Sequence, residues 1–320
     1  MSKIISLSEI KKILDTCSDS SLIQLIENGF VSYSNGEVLV APVGHLPFTN
    51  PPGDLHIKYG YVKGKEYFVV KMASGFYENP SLGLSASNGL MLVFSQKTGE
   101  LLSILLDEGH LTDIRTALAG AVVAKHLSPK NVSRIGIVGT GIQARLQLRY
   151  LKSVLNCRNV IVWGRSQEKM EAYASDSLLS DFNIATTRHI DELTATCNLI
   201  VTTTPSKNPL LLSSQVMEGT HITAVGADTP GKVEVDPALF ERADIVVADS
   251  ITQCIDHGDC ASAIAAGTLD AKNIIELGTF ITSGKKRSDD SSITIADLTG
   301  VAVQDINIAE LVYGRAAGLT

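Results

Sequence analysis

A glycine-containing turn between a strand-like and a helix-like segment has the clearest chemistry in this sequence. The apolar run Ile135–Val138 leads into the turn, and a helical pattern follows it. The turn consists of Gly139, Thr140, Gly141, Ile142, Gln143 and Ala144. Gly139 permits the tight turn, Gly141 lets the backbone approach a pyrophosphate, and the small Ala144 packs helix against strand. Free N–H groups at the helix N-terminus attract the anion. The pattern predicts that these six residues bind a dinucleotide, although an ordinary strand-to-helix turn is the alternative.

The residues after the next predicted strand, Val160–Trp163, indicate which dinucleotide is bound. In dinucleotide-binding folds this strand end meets the adenosine ribose, and a carboxylate there binds the 2′-hydroxyl of NAD. This chain instead has Arg165 and Ser166, with Lys169 one turn further on. These side chains suit the 2′-phosphate of NADPH, so we expect NADPH to be preferred, with NADH also possible. The alternative is that Arg165 only caps a loop.

The order of apolar runs and turn residues predicts two domains with different architectures. Before residue 115, a helical pattern over residues 6–28 precedes short strand-like runs separated by Pro and Gly, which is typical of a mostly antiparallel β-rich α+β domain. After it, strands alternate with helical segments, which predicts an α/β fold with a Rossmann-type doubly wound parallel sheet. The predicted strands are Val38–Val40, Leu55–Tyr59, Tyr67–Lys71, Leu90–Phe94 and Leu101–Leu106, then Ile135–Val138, Val160–Trp163, Leu199–Thr203, Ile222–Val225 and Ile245–Ala248.

We expect residues 1–115 and 296–320 to form the β-rich domain and residues 116–295 to form the dinucleotide-binding domain. A strand at Ser292–Ile295 would complete the second domain, and a helix at Gln304–Tyr313 would return to the first. Ligands of open parallel sheets lie at the carboxyl ends of the strands. Further candidates to line the cofactor at such ends are Thr203, Val225 and Gly226.

Composition and charge exclude several classes of partner. The net charge of −7 provides no basic excess for binding nucleic acid. No stretch approaches the roughly 18 consecutive apolar residues that span a bilayer, and the N-terminus lacks the apolar segment of a signal peptide. We therefore expect a cytoplasmic protein. Its five cysteines, an odd number spread along the chain, fit reduced thiols better than disulfides.

Cys254, His257 and Cys260 form a compact set of thiol and imidazole groups. Their three-residue spacing would allow zinc binding if all three shared one helix face. No fourth ligand is evident in the sequence. We therefore expect no metal site.

Four blocks, in this order along the chain, together resemble the ornithine cyclodeaminase/μ-crystallin family. They are VVKMASG around Lys71, LTDIRTALAGAVVAKHL around Arg115, GIVGTGIQA, and AVGADTPGKVEVD from Ala224 to Asp236. The resemblance covers roughly residues 35–313. It implies a nicotinamide-binding Rossmann domain and a β-rich domain, built from both ends of the chain, that also forms a homodimer.

The resemblance also implies roles for individual side chains. Enzymes of the family exchange hydride at an α-carbon that carries nitrogen and a carboxylate, which requires a cationic clamp and a group that manages a proton at nitrogen. Lys71 and Arg115 match the carboxylate-binding positions. Asp228 and Lys232 match the AVGxDxPGK block, in which Asp228 would orient the substrate nitrogen or relay its proton. Thr116 would support cofactor or substrate at the start of a helix.

Structural alternatives exist for three of these residues. Lys71 could be a surface lysine on a strand. Arg115 could begin a helix and pair with Asp113. Asp228 could simply initiate the turn at Thr229–Gly231.

One departure from the family concerns the carboxylate clamp. Many members supply a further arginine upstream of the Lys71 position, whereas this chain has no arginine before Arg115. Another donor, such as His45 or Lys58, would have to replace it. The departure argues against ornithine as the substrate.

The sequence is therefore interpreted as that of an NAD(P)H-dependent reductase of a cyclic α-imino acid, with conversion of Δ1-pyrroline-2-carboxylate to L-proline as the expected reaction. One alternative is ornithine cyclodeaminase, a lyase that would use tightly held NAD internally and release ammonia. The other is a non-catalytic ligand-binding protein like the crystallins.

Overall fold

The chain folds into two units, each built around its own sheet. The computed structural model describes residues 2–76, 78–287 and 289–319. The first unit comprises Met1–Arg115 and Val301–Thr320 and is called here the mixed-sheet unit. The second comprises Thr116–Gly300 and is called the parallel-sheet unit. Among the described residues, no helix has both the length and the apolar character needed to span a bilayer.

In its described residues, the mixed-sheet unit contains seven strands and three complete α-helices, together with the start of a fourth. These elements are β1 (Lys3–Ser6), α1 (Leu7–Asp15), α2 (Asp19–Ser34), β2 (Val38–Val40), β3 (Gly44–Thr49), β4 (Pro52–Val62), β5 (Tyr67–Phe76), β6 (Ser87–Ser95), β7 (Leu101–Leu106), the start of α3 (His110–Leu127) and α10 (Ala302–Ala317). The strand order is β1-β7-β6-β5-β4-β2, and β3 also pairs with β4. Among the strands described in this unit, β1 and β7 alone are parallel neighbours. The expected mostly antiparallel region is therefore confirmed.

The strands of this sheet alternate between a buried face and a more exposed one. Val69, Met91 and Leu105 point to the inner face and are fully or almost fully buried. Helix α10 packs against α2, β4 and β5. Side chains alternate along each strand, so the residues that precede and follow each of these three point to the opposite, outer face. The inner face therefore carries both the core of this unit and the polar residues described below.

The described part of the parallel-sheet unit, residues 116–287 and 289–300, contains eight strands, all paired in parallel. Its elements after α3 are β8 (Ile135–Val138), α4 (Ile142–Leu151), β9 (Asn159–Trp163), α5 (Gln167–Ala174), β10 (Asn183–Thr187), α6 (Ile190–Thr194), β11 (Leu199–Thr202), β12 (His221–Ala224), β13 (Ile245–Ala248), α7 (Ile251–Cys254), α8 (Asp259–Ala266), β14 (Ile274–Glu276), α9 (Leu277–Thr282) and β15 (Thr294–Asp297). The order is β10-β9-β8-β11-β12-β15-β13-β14. From β8 the chain continues through β9 and β10 toward one edge of the sheet, and from β11 it continues through β12 toward the other edge. The strand order therefore reverses between β8 and β11, and ligands of such sheets bind at this switch point.

The predicted α/β fold is confirmed, but several elements differ from the sequence-based prediction. The helical pattern over residues 6–28 forms two helices because Ser18 caps a second start. Strands β1, β3, β10 and β14 were not predicted, since their apolar runs are short or interrupted. The tail strand β15 lies between β12 and β13 and belongs to the middle of the parallel sheet. The predicted boundary after residue 295 therefore falls within a strand, and the parallel-sheet unit extends to Gly300.

Candidate active site

Two basic side chains of the mixed-sheet unit converge on one buried carboxylate. The Nε atom of Arg115 lies 2.8 Å from Oδ1 of Asp305, and Nζ of Lys71 lies 3.5 Å from Oδ2. Arg115 also donates from Nη1 to Oε1 of Gln304 at 2.9 Å. All four side chains are buried. Lys71 is thus not a surface lysine, and Arg115 pairs with the carboxylate of Asp305.

Burial changes the protonation of Lys71. Removal from water, together with the positive charges of Arg115 and Lys58, lowers the pKa of the Lys71 ammonium to about 7, although the charge of Asp305 opposes the shift. A charged group that is buried away from water is stabilised by a nearby opposite charge, so an additional anion would stabilise the protonated form of Lys71. The arrangement is therefore suited to bind a small carboxylate.

A third basic residue lies beside the pair. Lys58 on β4 is directly opposite Lys71 on β5 in the antiparallel register. Residues opposed in this way point to the same face with their Cβ atoms roughly 5 Å apart. Lys58 is also buried. The two residues suggested as replacements for the missing upstream arginine, His45 and Lys58, point to the same face of the sheet, and Lys58 is the one directly opposite Lys71.

Asp305 and Gln304 were missed by the sequence analysis. Both lie near the start of α10, within a stretch from Val301 to Ala309 that is buried throughout. Charged and amide side chains are rarely buried without partners. An Asp within such an apolar stretch was the available signal, but its partners are about 190 and 234 positions away along the chain.

The parallel-sheet unit has a cleft of about 680 Å³ at the switch point of its sheet. Seven of the predicted cofactor-binding residues line it: Gly139, Thr140, Gly141, Arg165, Ser166, Lys169 and Thr203. The volume is in the range of ligand-binding clefts. The helix α4 begins at this cleft with Gly141 as its N-cap, so its first N–H groups are available to an anion.

The glycines of the turn differ in what they require. Gly139 has φ of +121°, and a Cβ atom there would lie 2.6 Å from Oγ1 of Thr203. Gly141 has φ of −79°, which any residue adopts, and a Cβ atom there would meet nothing within 4 Å. Gly139 is therefore required by the fold, whereas the open space at Gly141 fits the close approach of a pyrophosphate.

The cleft is basic where the adenosine ribose is expected. Arg165 and Lys169 are exposed residues lining it, and Lys207 lies on another loop of the same cleft. Ser166 caps α5 by accepting from the backbone N–H of Lys169. Among the described residues that line the cleft, none is acidic. The residues present thus fit a phosphorylated dinucleotide.

Arg145 also lines the cleft and was not predicted to do so. It donates to the carbonyl oxygens of Thr140 and Gly141, and its Nε lies 2.8 Å from Oδ2 of Asp176. These contacts hold the glycine turn in its position. Unpredicted polar residues that line the cleft are Arg145, Thr204, Ser206, Lys207 and Asn208.

Six other predicted cofactor residues lie outside this lining: Thr116, Ile142, Gln143, Ala144, Val225 and Gly226. Ile142 and Gln143 begin α4, and Ala144 is buried, with its carbonyl accepting from the Tyr173 hydroxyl. The carbonyl of Thr116, on α3, accepts from Gln147. Their roles at a cofactor remain predictions.

A buried glutamate holds the strand ends near the cleft. Glu234 accepts from Oγ1 of Thr202 and Oγ1 of Thr204, each at 2.7 Å, and from the backbone N–H of Gly226 at 2.8 Å. Burial, together with the nearby charge of Asp259, raises the pKa of Glu234 to about 8. Glu234 therefore fixes the loops that follow β11 and β12, a role that the sequence did not indicate.

Asp228 and Lys232 occupy the loop after β12. Nζ of Lys232 lies 2.6 Å from Oδ1 of Asp228, and the Asp228 side chain is 49% exposed. The loop turns at Gly231, which has φ of +83°. Asp228 is thus an ion-paired carboxylate that reaches solvent, which is compatible with proton transfer and also with turn formation.

The Cys254, His257 and Cys260 set does not form a cluster of ligand atoms. Cys254 contacts the Asp297 carbonyl and the Thr299 hydroxyl, while the His257 ring lies beside Asp256. Among the described residues, the one group of potential metal ligands within 4.8 Å of one another is elsewhere, at His45, Asp54 and His56.

Comparisons with known proteins agree with the geometry of both units. A family model described as ornithine cyclodeaminase/mu-crystallin family matches residues 5–319. An uncharacterized cyclodeaminase of Sinorhizobium fredii is 40% identical over 98% of this chain and 96% of its own length. Iminosuccinate reductase of Paracoccus denitrificans is 30% identical, with 94% and 93% covered. Δ1-Pyrroline-2-carboxylate reductase of Bacillus thuringiensis is 32% identical, with 88% of each covered.

Solved structures are similar over nearly the whole chain. An archaeal alanine dehydrogenase dimer with bound NAD has a TM-score of 0.90 at 30% identity and covers 99% of this chain and 96% of its own. Thermococcus litoralis Δ1-pyrroline-2-carboxylate reductase, in complex with NADH and L-proline, has a TM-score of 0.90 at 26% identity, with 99% and 98% covered. The chain therefore belongs to the ornithine cyclodeaminase/mu-crystallin family.

Proposed function

We propose that the protein is an NAD(P)H-dependent reductase of a small α-imino acid, with Δ1-pyrroline-2-carboxylate, reduced to L-proline, as its substrate. The observation that carries the proposal is the buried Lys71 and Arg115 pair, held by Asp305, in a chain that also has a basic dinucleotide cleft. The relatives named as alanine dehydrogenase, iminosuccinate reductase and pyrroline-2-carboxylate reductase are all oxidoreductases.

The chain's own residues bind and orient the imino acid. Arg115 offers a planar guanidinium that suits a carboxylate, and Lys71 adds a point charge. Asp305 is a positioning residue, since its two oxygens lie against both cations. Asp228 holds or relays the proton at the substrate nitrogen. Gly139, Thr140 and Gly141 hold the dinucleotide, which supplies a hydride to the C=N carbon when it is bound.

The proposed function can be tested with a panel of imines. Δ1-Pyrroline-2-carboxylate, its six-membered homologue and iminosuccinate are each assayed with NADPH and with NADH. We expect the five-membered imine to give the highest kcat/KM, with one NADPH consumed for each L-proline formed. If L-ornithine instead yields proline and ammonia without net consumption of NADPH, the protein is a cyclodeaminase and the proposed reaction is wrong.

A dicarboxylic imine is the second candidate substrate, favoured by Lys58. Two cations suffice for one carboxylate, whereas a third on the same face of the sheet could bind a second one. Replacing Lys58 with methionine distinguishes the two candidates. If the substrate is a monocarboxylic imine, the Lys58→Met variant should retain most of its kcat/KM. If the substrate is iminosuccinate, the kcat/KM of the variant should fall about 100-fold.

The pKa of Lys71 predicts a pH dependence of anion binding. Its ammonium is charged below about pH 7 and neutral above, so the attraction for a carboxylate is lost as the pH rises. We expect the Kd of pyrrole-2-carboxylate, whose ring nitrogen does not titrate in this range, to rise by up to about tenfold per pH unit above pH 7. Isothermal titration calorimetry between pH 6 and pH 9 measures this effect. Lys71→Gln should bind weakly at every pH, and an equally steep profile in that variant would contradict the assignment.

We further propose that NADPH is preferred because Arg165, Ser166 and Lys169 bind its 2′-phosphate. Replacing Arg165 with glutamine removes a charge-assisted hydrogen bond worth about 1.5–3 kcal/mol. The expected result is a loss of about 10- to 100-fold in kcat/KM with NADPH and little change with NADH. The comparison of the two cofactors in the same variant is the control, since a folding defect would lower both values together.

We also propose that the protein is a homodimer formed through the outer face of the mixed sheet. This face is apolar across its width. Ile4, Leu39 and Tyr59 are 60%, 49% and 41% exposed, and the Phe68 and Phe94 rings stack in parallel at 4.7 Å. Such an extended apolar surface usually marks an interface. A second copy of the chain is the expected partner, since a similar alanine dehydrogenase is described as a dimer.

Introducing a charge at the centre of this face should separate the subunits. Leu92 lies opposite both Val70 and Ile104 in the register. We expect the unaltered protein to have twice its chain mass of 34.1 kDa by light scattering and Leu92→Glu to have the mass of one chain. Leu178→Glu, on the surface of the parallel-sheet unit, is the matched control. A dimeric Leu92→Glu variant would place the interface elsewhere.

A further inference from the structure

Two histidines and an aspartate form a cluster on the β3–β4 hairpin. His45 on β3 lies directly opposite His56 on β4 in the antiparallel register. Asp54 precedes His56 by two residues and therefore points to the same face. The potential ligand atoms of the three side chains all lie within 4.8 Å of one another. This convergence depends on the register of the two strands and was not expected from the sequence.

The geometry of the cluster is close to that of a metal site. Nδ1 of His56 lies 3.7 Å from Oδ1 of Asp54, and the two imidazole rings stack with centroids 4.7 Å apart at an angle of 11°. Two nitrogens bound to one tetrahedral Zn²⁺ are roughly 3.3 Å apart, given Zn–N bonds of about 2.0–2.1 Å. Binding one ion requires the two rings to rotate out of their stacked arrangement, so that both ring planes meet at the metal.

The backbone around the cluster is fixed on both sides. Strand β4 pairs with β3 along one edge and with β5 along the other. The side chains of His56 and Asp54 are only 19% and 17% exposed. The backbone that carries the three ligands is therefore fixed before an ion arrives, and the exposed side chain of His45 leaves the cluster open to solvent. Preorganisation of this kind reduces the entropy that binding would otherwise cost.

We propose that His45, Asp54 and His56 bind a divalent transition-metal ion of the borderline class, represented by Zn²⁺. Two imidazoles and one carboxylate are a ligand set that such ions prefer, and three protein ligands leave a coordination position open. Asp54, His56 and Lys58 alternate along β4 and so share the face of the sheet that carries Lys71. The ion adds positive charge to the face that carries the anion site. The proposal does not depend on which imine is reduced.

Metal binding is measured directly, without an assay of activity. The full-length protein is stripped with a chelator and titrated with Zn²⁺ in competition with a chromophoric chelator, and with Co²⁺ by absorption spectroscopy. We expect one ion per chain, with affinity reduced roughly 100-fold in His45→Ala and in His56→Ala. Asp54→Asn, which keeps the size of the side chain, should also weaken binding. The Co²⁺ absorption bands should disappear in both histidine variants.

Two controls distinguish this site from other ligands. His110→Ala, elsewhere in the mixed-sheet unit, should bind Zn²⁺ as the unaltered protein does. His257→Ala should do the same, and loss of binding in that variant would assign the ion to the Cys254 and Cys260 region instead. A stoichiometry far below one, or unchanged affinity in both His45→Ala and His56→Ala, would overturn the proposal.

Discussion

Replacing Arg115 with glutamine lowers kcat/KM for the imino acid by about 1000-fold and leaves the affinity for NADPH unchanged. Loss of one partner of a buried, hydrogen-bonded charge pair costs about 2–5 kcal/mol, because the substrate carboxylate is then held by Lys71 alone. Each 1.4 kcal/mol corresponds to a factor of ten. The measurement is steady-state kinetics with the preferred imine, together with a fluorescence titration of NADPH.

The controls for Arg115 must separate binding from folding. Glutamine leaves Asp305 with less compensation for its charge, so the variant is also expected to unfold at a lower temperature. Arg115→Lys keeps the charge but loses the planar donor pair, and it should retain more activity than Arg115→Gln. Arg315→Gln, at an exposed position of α10, should change neither activity nor stability. An Arg115→Gln protein that reduces the imine at an unchanged rate would exclude the proposed clamp.

The three buried cations of the anion site lower the stability of the unliganded protein. Lys58, Lys71 and Arg115 are all removed from water, and burial of charge is unfavourable unless it is compensated. The negative charge of Asp305 compensates part of this positive charge. The pKa of Lys71 is nevertheless lowered to about 7, so its ammonium is only partly protonated at neutral pH. A bound carboxylate would restore the proton on Lys71. Substrate binding should therefore be coupled to proton uptake, which is the basis of the pH dependence predicted above.

Local patterns in the sequence predicted the parts of the cofactor cleft that are contiguous in the chain. The strand Ile135–Val138 and the turn from Gly139 were predicted correctly because glycine spacing and apolar runs act over a few residues. The same holds for β7, which was predicted with its observed bounds. The loop residues Thr204–Asn208, which line the other side of the cleft, carry no such pattern and were missed.

Contacts between distant segments could not be predicted in the same way. Asp305 meets Lys71 across more than 230 positions, and nothing in either segment specifies the other. The placement of His45 against His56 depends on the register between β3 and β4, and β3 was not predicted as a strand. Strand β15 was predicted as part of the second domain, but no local pattern indicated that hydrogen bonding places it between β12 and β13.

Replacing Gly141 with valine should abolish dinucleotide binding without disturbing the fold. Its φ of −79° and ψ of −170° are ordinary for a β-branched residue, and a Cβ atom would meet nothing within 4 Å. The added side chain instead occupies the space into which the pyrophosphate must come. We expect the Kd of NADPH to rise more than about 100-fold, equivalent to roughly 2.7 kcal/mol, while the melting temperature changes little.

Gly139→Val is the matched comparison for this prediction. At Gly139 the positive φ and the approach of Thr203 within 2.6 Å of a Cβ atom make valine incompatible with the turn itself. That variant should therefore lose both stability and NADPH binding, as measured by thermal unfolding and by fluorescence titration. The contrast between the two neighbouring glycines distinguishes a residue required by the fold from one required by the ligand. If Gly141→Val bound NADPH with unchanged affinity, the pyrophosphate would have to lie elsewhere than at the start of α4.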